Sequence, residues 1–334
     1  MPTRILVPLA ALLALSSCAT QGVTPRPEPS AEPTPSPTSS PAPPDPAEVG
    51  ANELGSVPVL MYHRIVAAPE SVYDRTPKGF RAELERLAEE GYVPITAGQF
   101  TAGEIDVPAG AHPVVLTFDD ADPSQFALTA AGEPKPGTAV AIMLEVAERH
   151  PEFRPVATFF VNADPFGDPG GRRTLPWLLE HGMEIGNHTA THANLGESTP
   201  DQVRREIAEL DRLVRQAAPG AEPSTIALPF GIQPEPAELA LRGEGYRYRG
   251  AFLVGANPAP SPYSAEFEPA GIPRIRSQGA TGPEAQVCST VWLDKLAASP
   301  TQRYTSDGMA DRISFPRGSS EAVAASMRGR VLAY

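Results

Sequence analysis

Short apolar runs alternate with amphipathic segments along the chain from about residue 57. The runs predict buried strands over five segments: 57–62, 113–118, 156–161, 183–186 and 225–228. The amphipathic segments predict helices over four others: 80–91, 140–149, 175–181 and 200–217. Strands that alternate with helices indicate a parallel sheet, and this length of chain suits a single α/β barrel or a variant of one.

The first fifty residues lack this alternation. Residues 1–18 carry one Arg, then an apolar run, then small residues that end at Cys18. The run is shorter than the roughly 20 residues that a membrane-spanning helix needs, so it fits an export signal. Residues 19–50 consist largely of Pro, Ser, Thr, Glu and Ala and predict an extended, disordered linker, because they cannot bury a core. A single folded domain is predicted over 51–334.

The export signal ends in Leu-Ser-Ser-Cys at 15–18, which resembles the lipoprotein box of bacteria. The resemblance implies that Cys18 becomes the first mature residue and carries a lipid that anchors the protein to the membrane. An ordinary signal peptide cut nearby is the alternative. The predicted location is therefore the outer side of the cell membrane, extracellular or periplasmic. Cys288 is then the one remaining thiol, and it is predicted to be buried.

The charge of the chain is acidic, with 27 Lys and Arg against 40 Asp and Glu and a formal charge of −13. Neither a basic run nor an alternation of basic and aromatic residues is present. The sequence therefore argues against a nucleic-acid partner. It also carries no pattern of an obligate protein partner.

Polar side chains that can bind a metal follow two of the predicted strands. Asp119 and Asp120 follow the strand at 113–118, and His188 and His192 follow the strand at 183–186. Two carboxylates at the end of an apolar strand are costly unless they are paired or bind a cation. One carboxylate with two imidazoles leaves a metal an open position, as in catalytic zinc sites. Taken alone, each pair also fits a solvated turn or structural histidines.

These motifs resemble those of the polysaccharide deacetylases, the NodB-like family or carbohydrate esterase family 4. The resemblance covers roughly 57–275 and rests on T-F-D-D, A-T-F-F and H-T-A-T-H at 117–120, 157–160 and 188–192. The opening V-P-V-L-M-Y-H-R-I at 57–65 is similar to the exported branch of the family. The family implies a distorted (β/α) barrel of the NodB-homology type and a divalent metal, usually zinc. Carried over, the metal ligands are Asp120, His188 and His192, and Asp119 is the general base.

The third family motif is incomplete in this chain. It usually begins with an Arg that orients the base, and the matching stretch 227–231 reads A-L-P-F-G. Pro229 and Phe230 remain for contacts with the substrate and the oxyanion. Arg274 is the first candidate to replace the missing Arg, and Arg276 is the second. A surface or structural role for this Arg is the alternative.

The late motif that supplies a general acid is absent, since no His follows His192. His63 is the predicted replacement, because the first and last strands of a closed barrel are neighbours and a leaving amine must gain a proton. A hydrogen-bonded structural role for His63 is the alternative. The remaining histidines, His112, His150 and His181, are predicted to lie at the surface or to cap helices.

Two further departures lie near the Asp pair. The family usually has Gly after the pair, and here Ala121 stands in that place. Residues 130–138 are rich in Gly and Pro and are predicted to form a loop that shapes the substrate groove.

The predicted function is metal-dependent removal of N-acetyl groups from an extracellular or cell-wall polysaccharide. Peptidoglycan, poly-N-acetylglucosamine and a chitin-like chain all remain open as substrates, and an O-acetyl ester fits the same chemistry. A non-catalytic glycan-binding lipoprotein is the first rival, because one motif Arg and one motif His are missing. A periplasmic metal-binding protein is the second rival, but it leaves Asp119 without a purpose.

Overall fold

In a computed structural model of the protein, residues 44–319 and 322–334 are described. The predicted signal peptide, Cys18 and most of the predicted linker lie outside these residues. Residues 46–50 form a turn, and the N–H of Ala51 donates to the carbonyl of Pro46 over 2.9 Å. The folded domain therefore begins before the predicted boundary at residue 51. Within the described residues, no helix is both long enough and apolar enough to cross a membrane.

An eight-stranded parallel sheet forms the centre of the domain, in the order β10-β1-β3-β4-β5-β6-β9 with β2 paired to β3. The strands are β1 Val59–Tyr62, β2 Tyr92–Ile95, β3 His112–Asp119, β4 Thr158–Val161, β5 Glu184–Asn187, β6 Thr225–Ala227, β7 Arg242–Gly243, β8 Tyr246–Arg247, β9 Gly250–Phe252, β10 Ile275–Arg276, β11 Ile313–Phe315 and β12 Val331–Ala333. The helices are α1 Pro77–Glu89, α2 Ala97–Ala102, α3 Ala139–Arg149, α4 Thr174–Glu180, α5 Pro200–Ala217 and α6 Ser289–Ala298. β7 and β8 form a separate hairpin, and β11 pairs with β12.

The segment before β10 links the last strand of this sheet to the first. The N–H of Ile272 donates to the carbonyl of Ala251 in β9, and the N–H of Leu253 donates to the carbonyl of Ile272. Three residues further on, β10 pairs with β1 through Ile275 and Leu60. The sheet thus curves into the distorted α/β barrel that the sequence predicts.

All five predicted strands and all four predicted helices are present, with bounds shifted by a few residues. Helix α1 begins at Pro77 instead of Phe80, because the hydroxyl of Thr76 accepts from the N–H of Gly79 and caps the helix. The start of α5 agrees with its prediction, since Thr199 and Gln202 form a capping box there.

The C-terminal residues pack on the start of the domain. The N–H of Asn52 donates to the carbonyl of Thr305, and the N–H of Glu53 donates to the carbonyl of Ser314. The hydroxyl of Tyr334 donates to the carbonyl of Ala51 over 2.8 Å. The chain after residue 301 is therefore part of the same folded domain.

This packing explains one wrong prediction. His112 is buried, with its Nδ1 2.8 Å from the carbonyl oxygen of Tyr304, because the C-terminal residues cover the start of β3. Burial lowers the pKa of His112 to about 4. His150 and His181 do end helices α3 and α4 as predicted, and Cys288 is a buried free thiol as predicted.

Glu53 is a buried carboxyl group in the same contact between the C-terminal residues and the start of the domain. Its Oε2 accepts from the N–H of Ser314 over 2.7 Å, and its Oε1 accepts from the hydroxyl of Tyr304 over 3.2 Å. Burial, with a smaller contribution from the negative charge of Asp307, raises the pKa of Glu53 to about 7. Asp307 is itself bonded to Arg312, so that cation faces Asp307 and not Glu53.

We therefore expect Glu53 to make the domain less stable as the pH rises from about 4.5 to about 7, because the folded state holds a proton there that the unfolded state has lost. Its contribution is constant below this window, where Glu53 is protonated in both states. Glu53→Gln removes this pH dependence, which amounts to at most about 3 kcal/mol in the free energy of unfolding. Urea unfolding of both proteins at about pH 5 and about pH 8 measures the difference. An unchanged pH dependence in the variant would contradict the expectation.

Candidate active site

Four strands end at one cavity of about 290 Å³. His63 follows β1, Asp119 ends β3, and His188 follows β5. Leu228 follows β6 and begins the turn that holds Phe230. The cavity is lined by His63, Tyr73, Asp119, Asp120, His188, His192, Leu228, Phe230 and Val254. Residues 130–138, predicted to shape the groove, do not line this cavity.

Asp120, His188 and His192 form a cluster whose ligand atoms all lie within 4.8 Å of one another. Oδ1 of Asp120 lies 3.3 Å from Nε2 of His188 and 3.4 Å from Nε2 of His192. The Nδ1–H of His188 donates to the carbonyl of Ala227 over 2.8 Å, which turns Nε2 toward Asp120. Metal-binding histidines are usually oriented by such an outer hydrogen bond. The three side chains therefore fit a divalent cation and leave it open positions.

Two asparagines that the sequence reasoning missed hold the segment with both histidines. The Nδ2 of Asn162 donates to the carbonyls of His188 and Thr189 over 2.8 and 2.9 Å. The Oδ1 of Asn187 accepts from the N–H of Thr189, and its Nδ2 donates to Asp211. Asn162 directly follows β4, so its place at a strand end was the available signal.

Backbone strain is concentrated at this site. Of the seven described non-glycine residues with positive φ, five lie here: Asp120, Ala121, Thr189, His192 and Phe230. A non-glycine residue in this region costs about 1–2 kcal/mol, and such strain tends to collect at functional sites. Ala121 has a φ of 50°, which gives a physical reason for the Gly that the family usually has there.

Arg274 holds Asp119 with a bidentate ion pair inside the barrel. Its Nη1 and Nη2 donate to Oδ1 and Oδ2 of Asp119, each over 2.7 Å, and both residues are buried. Its Nε donates to the carbonyl of Leu253. Burial alone raises the pKa of Asp119, but Arg274 and His188 outweigh it and hold that pKa well below its usual range. Arg276, the second candidate, pairs instead with Glu284.

His63 faces both carboxylates from the end of β1. Its Nε2 lies 3.9 Å from Oδ2 of Asp119 and 4.0 Å from Oδ2 of Asp120, distances that one water molecule can bridge. Burial lowers the pKa of His63, and the two carboxylates only partly oppose it. Gln125 fixes the local backbone, since its Nε2 donates to the carbonyls of His63 and Asp119.

Apolar groups form the rest of the cavity. Phe230 is 60% exposed, and its ring centroid lies 4.7 Å from that of His192. Pro229 is buried and opens the turn that presents Phe230. Leu228 and Val254 line the same cavity and add apolar surface to it.

Comparison with known proteins finds similar sequences for the middle part of the chain. The Polysaccharide deacetylase family model matches residues 106–249. A chitooligosaccharide deacetylase of Rhizobium leguminosarum bv. phaseoli is 32% identical over 133 residues, which are 40% of this chain and 51% of that protein. A peptidoglycan-N-acetylglucosamine deacetylase of Bacillus cereus is 26% identical over 162 residues, 48% of this chain and 51% of that protein. The chain thus spans about half the length of the curated relatives it matches.

A solved structure shares the fold. The Streptococcus pyogenes deacetylase PplD, solved in complex with acetate, aligns with a TM-score of 0.51 at 21% identity over 70% of this chain and 96% of that one. The segment matched by the family model contains the Asp pair, both site histidines and Phe230, whereas His63 and Arg274 lie outside it. By this match, residues 106–249 are similar to the polysaccharide deacetylase family, and the domain shares its fold with a solved deacetylase structure.

Proposed function

We propose that the protein is a metal-dependent hydrolase that removes N-acetyl groups from an extracellular or cell-wall polysaccharide. The main support is the buried pair of Asp119 and Arg274, which lies beside a cluster of three metal-binding side chains in one cavity. The relatives named above act on chitooligosaccharides and on peptidoglycan N-acetylglucosamine, which supports a glycan of N-acetylated amino sugars.

Asp120, His188 and His192 would hold the metal, and we propose zinc because one carboxylate and two imidazoles suit it. A divalent metal in such a site polarises a carbonyl and lowers the pKa of water. Burial and the neighbouring His188 lower the pKa of His192, which favours the neutral imidazole that a metal ligand requires.

Asp119 is the proposed general base. The ion pair with Arg274 keeps its carboxylate ionised and fixes both oxygens in place. A carboxylate with so low a pKa is a weak base, so it accepts a proton only from a water that is more acidic than bulk water. Asp119 can therefore act as a base only if the pKa of that water is lowered by a metal held by Asp120, His188 and His192.

His63 is the proposed acid for the leaving nitrogen. Because its pKa is lowered, it starts neutral and gains the proton that Asp119 has taken, across the gap of 3.9 Å. The oxygen of the water that lost this proton bonds to the acetyl carbon, and His63 then protonates the nitrogen as the C–N bond breaks. The backbone N–H of Phe230 is proposed to donate to the oxyanion, and Leu228 with Val254 to face the acetyl methyl group. The products are acetate and a free amino sugar.

An O-acetyl polysaccharide esterase is the second candidate. The absence of a histidine after His192 favours it, because an alkoxide leaving group needs less help from an acid than an amine does. A glycan-binding lipoprotein without activity is less well supported, since binding alone does not require a buried Asp119–Arg274 pair. We also propose that the export signal and a lipid on Cys18 place this site outside the membrane.

Acetate release tests the proposed function. The chain from residue 19 onward, loaded with zinc, should release acetate from N-acetylglucosamine oligomers or peptidoglycan and should stop when a chelator is added. Asp119→Asn should lower the rate by about 10²–10⁴-fold, the usual share of a general base. Asp164→Asn is the matched control, since Asp164 is an exposed carboxylate just after β4.

The possible outcomes separate the candidates. Release from acetyl esters alone would identify an esterase. One bound zinc per chain without release from any amide or ester would identify a binding protein and overturn the proposal.

A further inference from the structure

A groove of about 780 Å³ lies at the end of the barrel opposite the cavity. It runs between residues 222–224 and the β7–β8 hairpin. Ser224 and Arg249, which line it, stand immediately before β6 and β9 begin. The site residues follow the other ends of strands in the same parallel sheet, so the two regions are separate.

The groove is basic although the chain is acidic. Three of its lining residues are arginines, Arg215, Arg247 and Arg249, and its one carboxylate is Glu222. Arg247 and Arg249 are exposed and, within the described residues, form no ion pair and no side-chain hydrogen bond. On the neighbouring helix α5, Arg212 is by contrast paired with Glu209. Two free guanidinium groups thus line one groove of a chain with a formal charge of −13.

Two buried tyrosines anchor the segment that carries Arg247 and Arg249. Tyr246 and Tyr248 are buried, and their hydroxyls donate to the carbonyl of Leu239 and to Asp211, each over 2.6 Å. Because side chains alternate along an extended segment, the residues between and after the tyrosines, Arg247 and Arg249, face outward.

Arg215 is oriented by the same elements. Its Nη1 donates to the carbonyl of Gly245 and its Nη2 donates to Asp211. Asp211 therefore contacts both Arg215 and the buried Tyr248. The basic side chains are thus presented from a packed surface and not from a free loop.

We propose that this groove binds a strand of an acidic polymer whose repeating units carry phosphate or carboxylate groups. A guanidinium matches both groups through paired N–H donors. The arginines line a concavity about as large as a ligand pocket, which admits a polymer strand but meets a flat bilayer only at its rim. Binding there would hold the domain on acidic material while the cavity at the other end stays accessible.

Fluorescence anisotropy tests the proposal with the chain from residue 19 onward. The probes are labelled inorganic polyphosphate and labelled oligogalacturonate, which separate a phosphate from a carboxylate ligand. At low salt we expect binding to at least one probe, weakened at about 0.5 M salt by screening. Arg247→Gln/Arg249→Gln should weaken it at least about tenfold.

The matched control is Arg172→Gln/Arg205→Gln, which removes the same charge from two exposed arginines outside the groove. It should change the affinity by less than about twofold, as expected for screened distant charges. Equal thermal midpoints for both double variants exclude misfolding. Equal weakening in both pairs, no binding to either probe, or tighter binding to phosphatidylglycerol vesicles than to both polymers would overturn the proposal.

Discussion

We expect Asp120→Asn to lose most of its affinity for zinc, whereas Asp119→Asn keeps it. The two carboxylates are adjacent in sequence but differ in their partners. Asp120 lies within 3.4 Å of Nε2 of both His188 and His192, so the substitution removes the one negative ligand. Both oxygens of Asp119 are bonded to Arg274 instead. Loss of a ligand should weaken zinc binding by more than the roughly 10–100-fold that follows loss of an outer hydrogen-bond partner.

Competition with a fluorescent zinc chelator measures these affinities. His181→Ala is the control, because it removes an imidazole that stacks on Trp177 and lies outside the cavity. It should retain one zinc per chain. If Asp120→Asn binds zinc as the unmodified protein does, the proposed set of ligands is wrong.

The long elements and the metal cluster were predictable from sequence for the same reason. β3 is buried at all eight positions, so its apolar run stands out, and the acidic residues at its end are conspicuous by contrast. His188 and His192 follow a second strand, and parallel strands bring such ends to one edge of the sheet. The rule about strand ends therefore brings the Asp pair and both histidines to one place, whereas the choice of Asp120 as the ligand and of Asp119 as the base comes from the family resemblance.

Strands β2 and β10 escaped the sequence analysis. Pro94 interrupts the four residues of β2, and β10 has only two residues. Their position depends on pairing with β3 and β1, which is a contact between distant parts of the chain. Periodicity within a few residues cannot reveal such a contact.

Tyr73 shows the same difficulty at the site. It reaches the cavity from the loop between β1 and α1, where no strand ends. The neighbouring Asp74 fixes that loop, since its carboxylate accepts from Arg64 and from the N–H groups of Glu70 and Ser71. A network of this kind leaves no regular spacing in the sequence.

We expect Arg274→Ala to destabilise the domain by about 3–5 kcal/mol, because it leaves the carboxylate of Asp119 buried without its partner. Arg212→Ala is the control. Arg212 pairs with Glu209 on the surface of α5, with side chains 58% and 49% exposed, and an exposed pair of this kind contributes little to stability. Urea unfolding of the three proteins gives the comparison. An equal decrease in the free energy of unfolding in both variants would show that the buried pair with Asp119 stabilises the domain no more than a surface ion pair does.

Arg274→Ala should also lower kcat by about 100-fold or more with a smaller change in KM, since the base loses its orientation but the apolar lining remains. The alanine at the position of the missing family Arg offers a second-site test. Ala227 lies in the same buried cluster as Phe160, and the guanidinium carbon of Arg274 lies 5.7 Å from the ring centroid of Phe160. Adding Ala227→Arg to Arg274→Ala should therefore restore part of the stability and of kcat. Full activity in the single variant would instead show that Asp119 acts without an orienting cation.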